Sequence, residues 1–296
     1  MSNVLRTLIY GGQVSLTLID STQIVREGAK LHKLTPASAY VFGKALSVMT
    51  FMSACLKEES GEVSLSLKGN GTGGEIAVSG NRALRIRGYI ENTQLCGGGD
   101  AETERVALGD GSLTIIRDDG YRQPFIGACA VPGFGGVDEA FEEYYRISEQ
   151  LPTRILSGVE LCKNAEEHVA FAGAVVLQPL PFASDETLDK VYDADLAAVL
   201  SAVQEQGVES AAKQFFDTDE QVWDARTAVY RCNCSKHYLS RVLVSLGEDT
   251  LRQIIQEDGA ARIHCHYCNT DYEFDNADAD KIFFRKHKGE TTENNA

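Results

Sequence analysis

Arg231-Cys232-Asn233-Cys234 and Ile263-His264-Cys265-His266-Tyr267-Cys268 are the two stretches around which the end of this chain is organised. The first is a CxC pair and the second a CxxC pair, with 30 residues, 235–264, between them. Cysteines two or three residues apart can turn both sulfurs toward one point. Two such pairs brought together offer four thiolates to one tetrahedral ion, the arrangement of closed structural zinc sites. Cys232, Cys234, Cys265 and Cys268 are therefore the expected ligands of one zinc ion per chain. His237, His264 and His266 lie nearby, but four sulfurs already complete the shell. The histidines then read as exposed side chains on a knuckle. Four sulfurs also leave no open position for a reactive water, which argues against a zinc hydrolase.

The same spacing permits a second chemistry. Each pair can close on itself, Cys232 to Cys234 and Cys265 to Cys268, if the backbone bends. Loops this short gain only about 2 kcal/mol each from cross-linking. Neither bridge ties one cluster to the other. A structural zinc ion does tie them, and contributes on the order of 10–16 kcal/mol to folding a small domain. Exchanging the metal for two local disulfides is thus expected to melt the domain. Spacing alone leaves open whether the protein uses this switch.

The 296 residues suggest two or three domains. With 28 Lys+Arg against 43 Asp+Glu, the net charge is −15, which disfavours nucleic acid or an anionic membrane as partner. The start, Met1-Ser2-Asn3-Val4-Leu5-Arg6, lacks the charged and apolar regions of a secretory signal. Cys55, Cys96, Cys129 and Cys162 are scattered without framework spacing. Clustered metal-type cysteines with scattered single ones fit a reducing, cytoplasmic setting.

Along the chain, residues 4–20 read as two strands around the Gly11-Gly12 turn. Ser21 or Thr22 is placed to cap a helix. Thr35-Pro36 opens a second helix, 37–56, which is apolar nearly all round and long enough for a membrane span to be weighed. Lys44 near its middle, with Ser38, Ser47, Thr50 and Ser53 on the same helix, favours a core helix covered on several sides. A glycine-punctuated meander follows over 63–90. It lacks the lysine and helix of a phosphate-binding loop. The acidic stretch 91–111, with Cys96 beside Gly97-Gly98-Gly99, reads as a flexible surface loop. Strands at 113–117, 123–127, 153–158 and 168–177 and a helix at 138–148 complete an α+β pattern rather than alternating βαβ units.

Residues 181–230 carry 11 acidic and three basic side chains. One helix capped by Ser184, with Leu188, Val191, Tyr192, Leu196, Val199, Leu200 and Val203 on one face, is expected to run to Gly207. A shorter one carries Ala211, Ala212, Phe215 and Phe216. This stretch is too small for its own core, so its apolar stripe must dock on a neighbour, and it is expected to open first. Beyond it, helices at 236–246 and 249–257, a strand at 272–274 and a helix near 277–287 make a domain that needs a staple. The basic run 281–288 reads as a solvated face. The fold expected is α+β: a mixed sheet-and-helix core domain (1–180), a helical linker region (181–230) and a small zinc-binding domain (231–296).

These residues resemble the redox-regulated 33 kDa chaperonin family of heat-shock holdases. The CxC…CxxC arrangement carries the resemblance most specifically. Ser148-Glu149-Gln150-Leu151-Pro152-Thr153, the Gly173…Gln178-Pro179-Leu180-Pro181 segment and Glu257-Asp258-Gly259 add to it. The resemblance implies that the four cysteines hold zinc while the chain is reduced and inactive. It implies that oxidation forms the disulfides Cys232–Cys234 and Cys265–Cys268, releases zinc, and unfolds the last domain and linker. The exposed surface then holds unfolding client proteins without ATP, typically as a homodimer, and the chain is not an enzyme. Two features depart from the family pattern: Ala174 stands in place of a second glycine, and the Cys96 loop is unusual. The rival readings are a thiol–disulfide oxidoreductase and a zinc-ribbon binding protein. The first would want a CxxC opening a helix in a βαβ surround, and the second a basic knuckle.

Overall fold

A computed structural model describes residues 3–131, 135–162, 168–218 and 222–283. The chain divides into two compact units, Met1–Arg231 and Cys232–Ala296.

The first unit holds two sheets. β1 (Val4–Ile9) and β2 (Val14–Asp20) form the expected hairpin, its turn made by Tyr10, Gly11 and Gly12, all at positive φ. They share a five-stranded sheet with β8 (Arg154–Leu161), β9 (Val169–Pro179) and β10 (Asp224–Arg226), in the order β10-β1-β2-β9-β8. The second sheet has the order β11-β5-β4-β3-β6-β7. Its strands are β3 (Glu62–Gly69), β4 (Glu75–Asn81), β5 (Arg85–Ile90), β6 (Gly111–Asp118), β7 (Phe125–Val131) and β11 (Val229–Tyr230). The meander β3 to β5 follows the glycine punctuation of the sequence.

Between the sheets lies α2 (Pro36–Ala54), with α1 (Thr22–His32) beside it. Thr35 caps α2 by accepting a hydrogen bond from the Ser38 N–H at 3.3 Å. Phe42, Leu46, Met49 and Phe51 are fully buried, which is why the helix shows no polar stripe. Among the described residues no helix is long and apolar enough to cross a membrane. The start of α1 differs from expectation. Ser21 does not cap it; its hydroxyl bonds that of Ser47 at 2.6 Å, and Thr22 donates its hydroxyl to the Ala172 carbonyl. Asp20 instead accepts from the Thr22 N–H at 3.0 Å.

Residues 181–230 pack within the first unit. The single helix expected there is broken into α5 (Asp185–Asp193) and α6 (Leu196–Gln206), followed by α7 (Val208–Phe215). The break falls at Ala194 and Asp195, where Asp195 caps α6 by accepting from the Ala198 N–H. Tyr192 consequently turns outward, 61% exposed, and leaves the apolar face. Val191, Leu196, Val199, Val203, Ala211 and Phe216 cover Leu5, Leu16, Leu18, Val175 and Leu177 on the sheet face turned away from α2. The end of the segment then adds β10 to the edge of one sheet and β11 to the edge of the other.

The acidic stretch 91–111 is not the surface loop that its composition suggests. Leu95 is buried, and α3 (Ala101–Leu108) follows, capped by Asp100, which accepts from the Thr103 N–H at 2.9 Å. Glu104 on α3 is buried and meets Lys44 of α2 at 2.7 Å; Asp138 lies 3.3 Å from the same ammonium. Asp138 sits on α4 (Val137–Tyr144), which continues as a π-turn over Tyr145–Glu149. Its carboxylate accepts from the Ser157 N–H at 3.0 Å and from the Ser157 hydroxyl, while Glu104 accepts from the Val137 N–H at 2.6 Å. One lysine thus ties α2, α3, α4 and β8 together. A charge in the middle of an apolar helix is tolerable because both its partners are buried with it and hydrogen-bonded in turn.

Removing the cation while keeping its volume leaves two buried carboxylates unpaired. Lys44→Met is expected to destabilise the first unit by about 3–5 kcal/mol, read as a shift in urea midpoint. Burial pushes the Asp138 carboxyl up to about 6 from 3.8, against the opposing pull of Lys44 and the Ser157 hydrogen bonds. An acid raised in this way favours the fold below its unfolded pKa and loses that contribution as pH rises through the folded value. The stability difference between wild type and Asp138→Asn should therefore shift between about pH 4 and pH 6, to the detriment of wild type, and level off above. A difference that is flat across that window would contradict a buried, proton-retaining carboxyl.

Candidate metal centre

The second unit is small. Among its described residues the buried ones are Leu243, Leu251, Ile255, Ala261, Phe274, Ala279 and Phe283. α8 (Lys236–Leu246) and α9 (Glu248–Asp258) lead into the hairpin of β12 (Ala261–Cys265) and β13 (Thr270–Phe274), and a helical segment covers 276–283. Part of the helix expected at 277–287, and most of the basic run 281–288, lie outside the described residues. α8 starts where its sequence says it should: Ser235 accepts from the Tyr238 N–H at 3.1 Å. That cap sets the position of the residues just before it, and these include the CxC pair.

The second pair is placed by the hairpin. Cys265 closes β12, opposite Thr270 in register, and His266 to Asn269 make the turn. Asn269 has a left-handed backbone, φ 49°, which the tight reversal requires. The Cys268 N–H donates to the Cys265 carbonyl at 3.3 Å, folding the pair into one knuckle. In the first pair the Cys234 N–H points at the Cys232 sulfur.

These two local devices bring the four sulfurs of Cys232, Cys234, Cys265 and Cys268 within 4.8 Å of one another. Cys232 Sγ lies 3.8 Å from Cys265 Sγ, and Cys234 Sγ lies 3.0 Å from Cys268 Sγ. Four sulfurs each about 2.3 Å from a central ion stand about 3.8 Å apart, so the Cys232–Cys265 separation matches a tetrahedral edge and the Cys234–Cys268 separation is drawn in. Burial pushes the Cys232 thiol up, and the neighbouring sulfurs of Cys265 and Cys268 act in the same direction. Four thiols this close resist ionising together unless a cation joins them. An all-sulfur donor set of this size suits a soft or borderline divalent ion and fits a closed zinc site.

One contact at the cluster was not legible in the sequence. The Tyr272 hydroxyl lies 3.2 Å from Cys234 Sγ, and this hydrogen bond pushes the phenol up. Tyr272 pairs with Ile263 across the hairpin, so only the register puts it beside a cysteine from the other end of the unit. The histidines stay out of the cluster. His264 bonds Asp271 through Nδ1 at 2.7 Å, and its ring meets the edge of His266 at 5.0 Å. Cys55, Cys96, Cys129 and Cys162 also lie outside it, and none is in a disulfide. Cys96 is exposed, Cys129 buried, and burial pushes the Cys55 thiol up.

The family model described as Hsp33 protein matches residues 2–275. A 33 kDa chaperonin of Acetivibrio thermocellus is 30% identical over 283 residues, covering 93% of this chain and 94% of the relative. One from Bacillus cereus is also 30% identical, over 93% of this chain and 96% of its own length. The crystal structure of a 33 kDa chaperonin, a heat shock protein 33 homologue from Thermotoga maritima, shares the fold with a TM-score of 0.79 at 21% identity, across 96% of this chain and 98% of that one. On its sequence this chain belongs to the Hsp33 protein family.

Proposed function

We propose that the chain is a redox-regulated, ATP-independent molecular chaperone that holds unfolding proteins under oxidative stress. Membership of a family whose curated relatives are named 33 kDa chaperonins supports the chaperone reading. The observation that carries the redox part is the convergence of four sulfurs from opposite ends of a unit with only seven buried core side chains among its described residues. Cys232, Cys234, Cys265 and Cys268 are the proposed zinc ligands. Zinc would hold them as thiolates and tie the two clusters together.

Oxidation takes four thiols and two molecules of peroxide to two disulfides and four molecules of water. In each pair one sulfur attacks the peroxide O–O bond; its neighbour then displaces the oxygen as water and completes the S–S bond. The products, Cys232–Cys234 and Cys265–Cys268, are both local. They no longer hold residues 232–234 against the hairpin, and the small core is left to stand alone. On this reading residues 1–180 are the core that persists, 181–230 the linker that opens, and 231–296 the switch. The partners are partly unfolded polypeptides, with a homodimer as the active form in the cytoplasm. Neither nucleic acid nor a membrane is called for by an acidic chain. A catalytic oxidoreductase is disfavoured because Cys265 ends a strand instead of opening a helix.

Peroxide with gentle warming should release about one zinc per chain, in step with suppression of aggregation of a heated client. A chromogenic chelator and light scattering, followed in one sample, read both. Suppression that appears with zinc still bound would reject the coupling. Cys232→Ser should weaken zinc binding by more than about a hundredfold, since even outer-shell changes cost 10–100-fold, and should loosen the second unit under reducing conditions. Hydrogen exchange protection of α8 and α9 equal to that of wild type would remove Cys232 from the ligand set.

A further inference from the structure

Residues 224–231 form the C-terminal margin of the first unit. β10 pairs with β1, the Arg226 guanidinium donates to the Ala54 carbonyl at 2.8 Å and the Arg82 carbonyl at 3.2 Å, and Ala228 is buried; beyond Ala228 the attachment is of a particular kind. β11 has two residues and pairs in parallel with β5, Val229 beside Arg85 and Tyr230 beside Ile86. The Val229 N–H donates to the Leu84 carbonyl at 3.0 Å, and the Arg231 N–H to the Ile86 carbonyl at 2.7 Å. These are backbone bonds, so any extended chain could make them. Between β10 and β11 the side-chain amide of Asn3 donates to the Ala228 carbonyl at 3.2 Å and accepts from its N–H at 2.7 Å. Val229 remains 43% exposed, so its side chain adds little.

Tyr230 supplies the selective contact. Its ring enters a slot floored by Gly28 and walled by Phe42. A Cβ built on Gly28 would stand 3.1 Å from the Tyr230 ring and 2.9 Å from that of Phe42. At the slot's end the Tyr230 hydroxyl donates to the Gly88 carbonyl at 2.8 Å and lies 3.1 Å from His32 Nε2. A Cβ on Gly88 would press on Val78 at 2.6 Å and Phe42 at 2.9 Å. Neither glycine has a left-handed backbone, so what they contribute is room. The slot is built for a flat ring and ends in polar groups that a phenol satisfies.

We propose that the edge of β5, together with this slot, is a docking groove for unfolded client chains. The occupant is an extended segment with a tyrosine or phenylalanine, entering as an added strand in place of β11. The inference rests on the chaperone reading and names the client feature recognised. In the reduced chain Val229 and Tyr230 fill the groove, and being tethered they outcompete a client in solution. Arg231 is followed at once by Cys232, so the segment keeps a structured attachment on its C-terminal side only while the second unit is folded. When that unit melts, β11 is retained only by its two backbone bonds to Leu84 and Ile86, the Asn3 bonds to Ala228 and the Tyr230 contacts, and its release leaves β5 with an unpaired edge.

The test uses the full chain with p-benzoylphenylalanine in place of Arg85, the exposed partner of Val229, and a control with it in place of Ser112 on β6. The client is reduced, carboxymethylated α-lactalbumin, which stays unfolded. After peroxide oxidation, photocrosslinks to the client should form at position 85 well above those at 112, and at neither position in the reduced, zinc-loaded chain. The peptide acetyl-Asp-Ala-Arg-Thr-Ala-Val-Tyr-Arg-amide, copied from residues 224–231, should suppress the crosslink at 85; its Tyr→Ala analogue should need about tenfold more or greater. Equal crosslinking at 85 and 112 by a chain that does retain the client, or equal potency of the two peptides, would overturn the groove while leaving the chaperone reading standing. An oxidised chain that retains no client would overturn both.

Discussion

Four sulfur atoms meet in a unit too small to hold itself together by apolar burial, and the proposed switch rests on that meeting. Two come from the residues just ahead of a capped helix and two from a hairpin knuckle 30 residues later. Seven buried side chains, three of them alanine or at the end of the described chain, cannot offset the conformational entropy of ordering a unit of this size. On the proposed reading, a fold that leans on one coordination centre is cooperative with the state of its sulfurs.

The first unit is built on the opposite principle. α2 is enclosed by two sheets, and its one charge is neutralised inside by Glu104 and Asp138, which reach it from separate elements. Such an arrangement gives little net stability over an apolar equivalent, but it penalises any packing that parts the three groups. The result is a body with a defined interior and weakly held margins. Those margins are the α5–α7 layer, docked by one apolar face, and the two short strands β10 and β11 at the sheet edges.

Residues 181–231 therefore lie, in sequence, between the most dependent part of the molecule and the most self-sufficient one. They are strongly acidic and bury their apolar side chains on a sheet they do not belong to for most of their length. Local opening free energies fall where contacts are few and one-sided. The same segment closes both sheet edges, so its departure would expose strand edges as well as apolar surface, the two features that bind unfolded chains.

What the sequence determined by itself is whatever depends on neighbours within a few residues. The two cysteine pairs, the Thr35 cap, the Gly11-Gly12 turn, the meander and the apolar helix carrying Lys44 are all of this kind. Cap geometry, i to i+3 sulfur placement and hydrophobic period are local properties. What only the tertiary structure decided depends on partners far along the chain. The stretch 91–111 looks like a loop because its acidic residues have no visible counter-charge; Lys44 lies 60 residues from Glu104, and the pairing anchors one face of α3 in the interior. Tyr272 reaches Cys234 only through hairpin register, 38 residues apart. The helix predicted across 194–195 breaks where Asp195 caps α6 and Leu196, Val199 and Val203 dock on the sheet, and β11 is a strand only because β5 offers an edge. Long-range contacts carry no periodicity of their own, so the sequence displays the residues that make them without displaying the pairing.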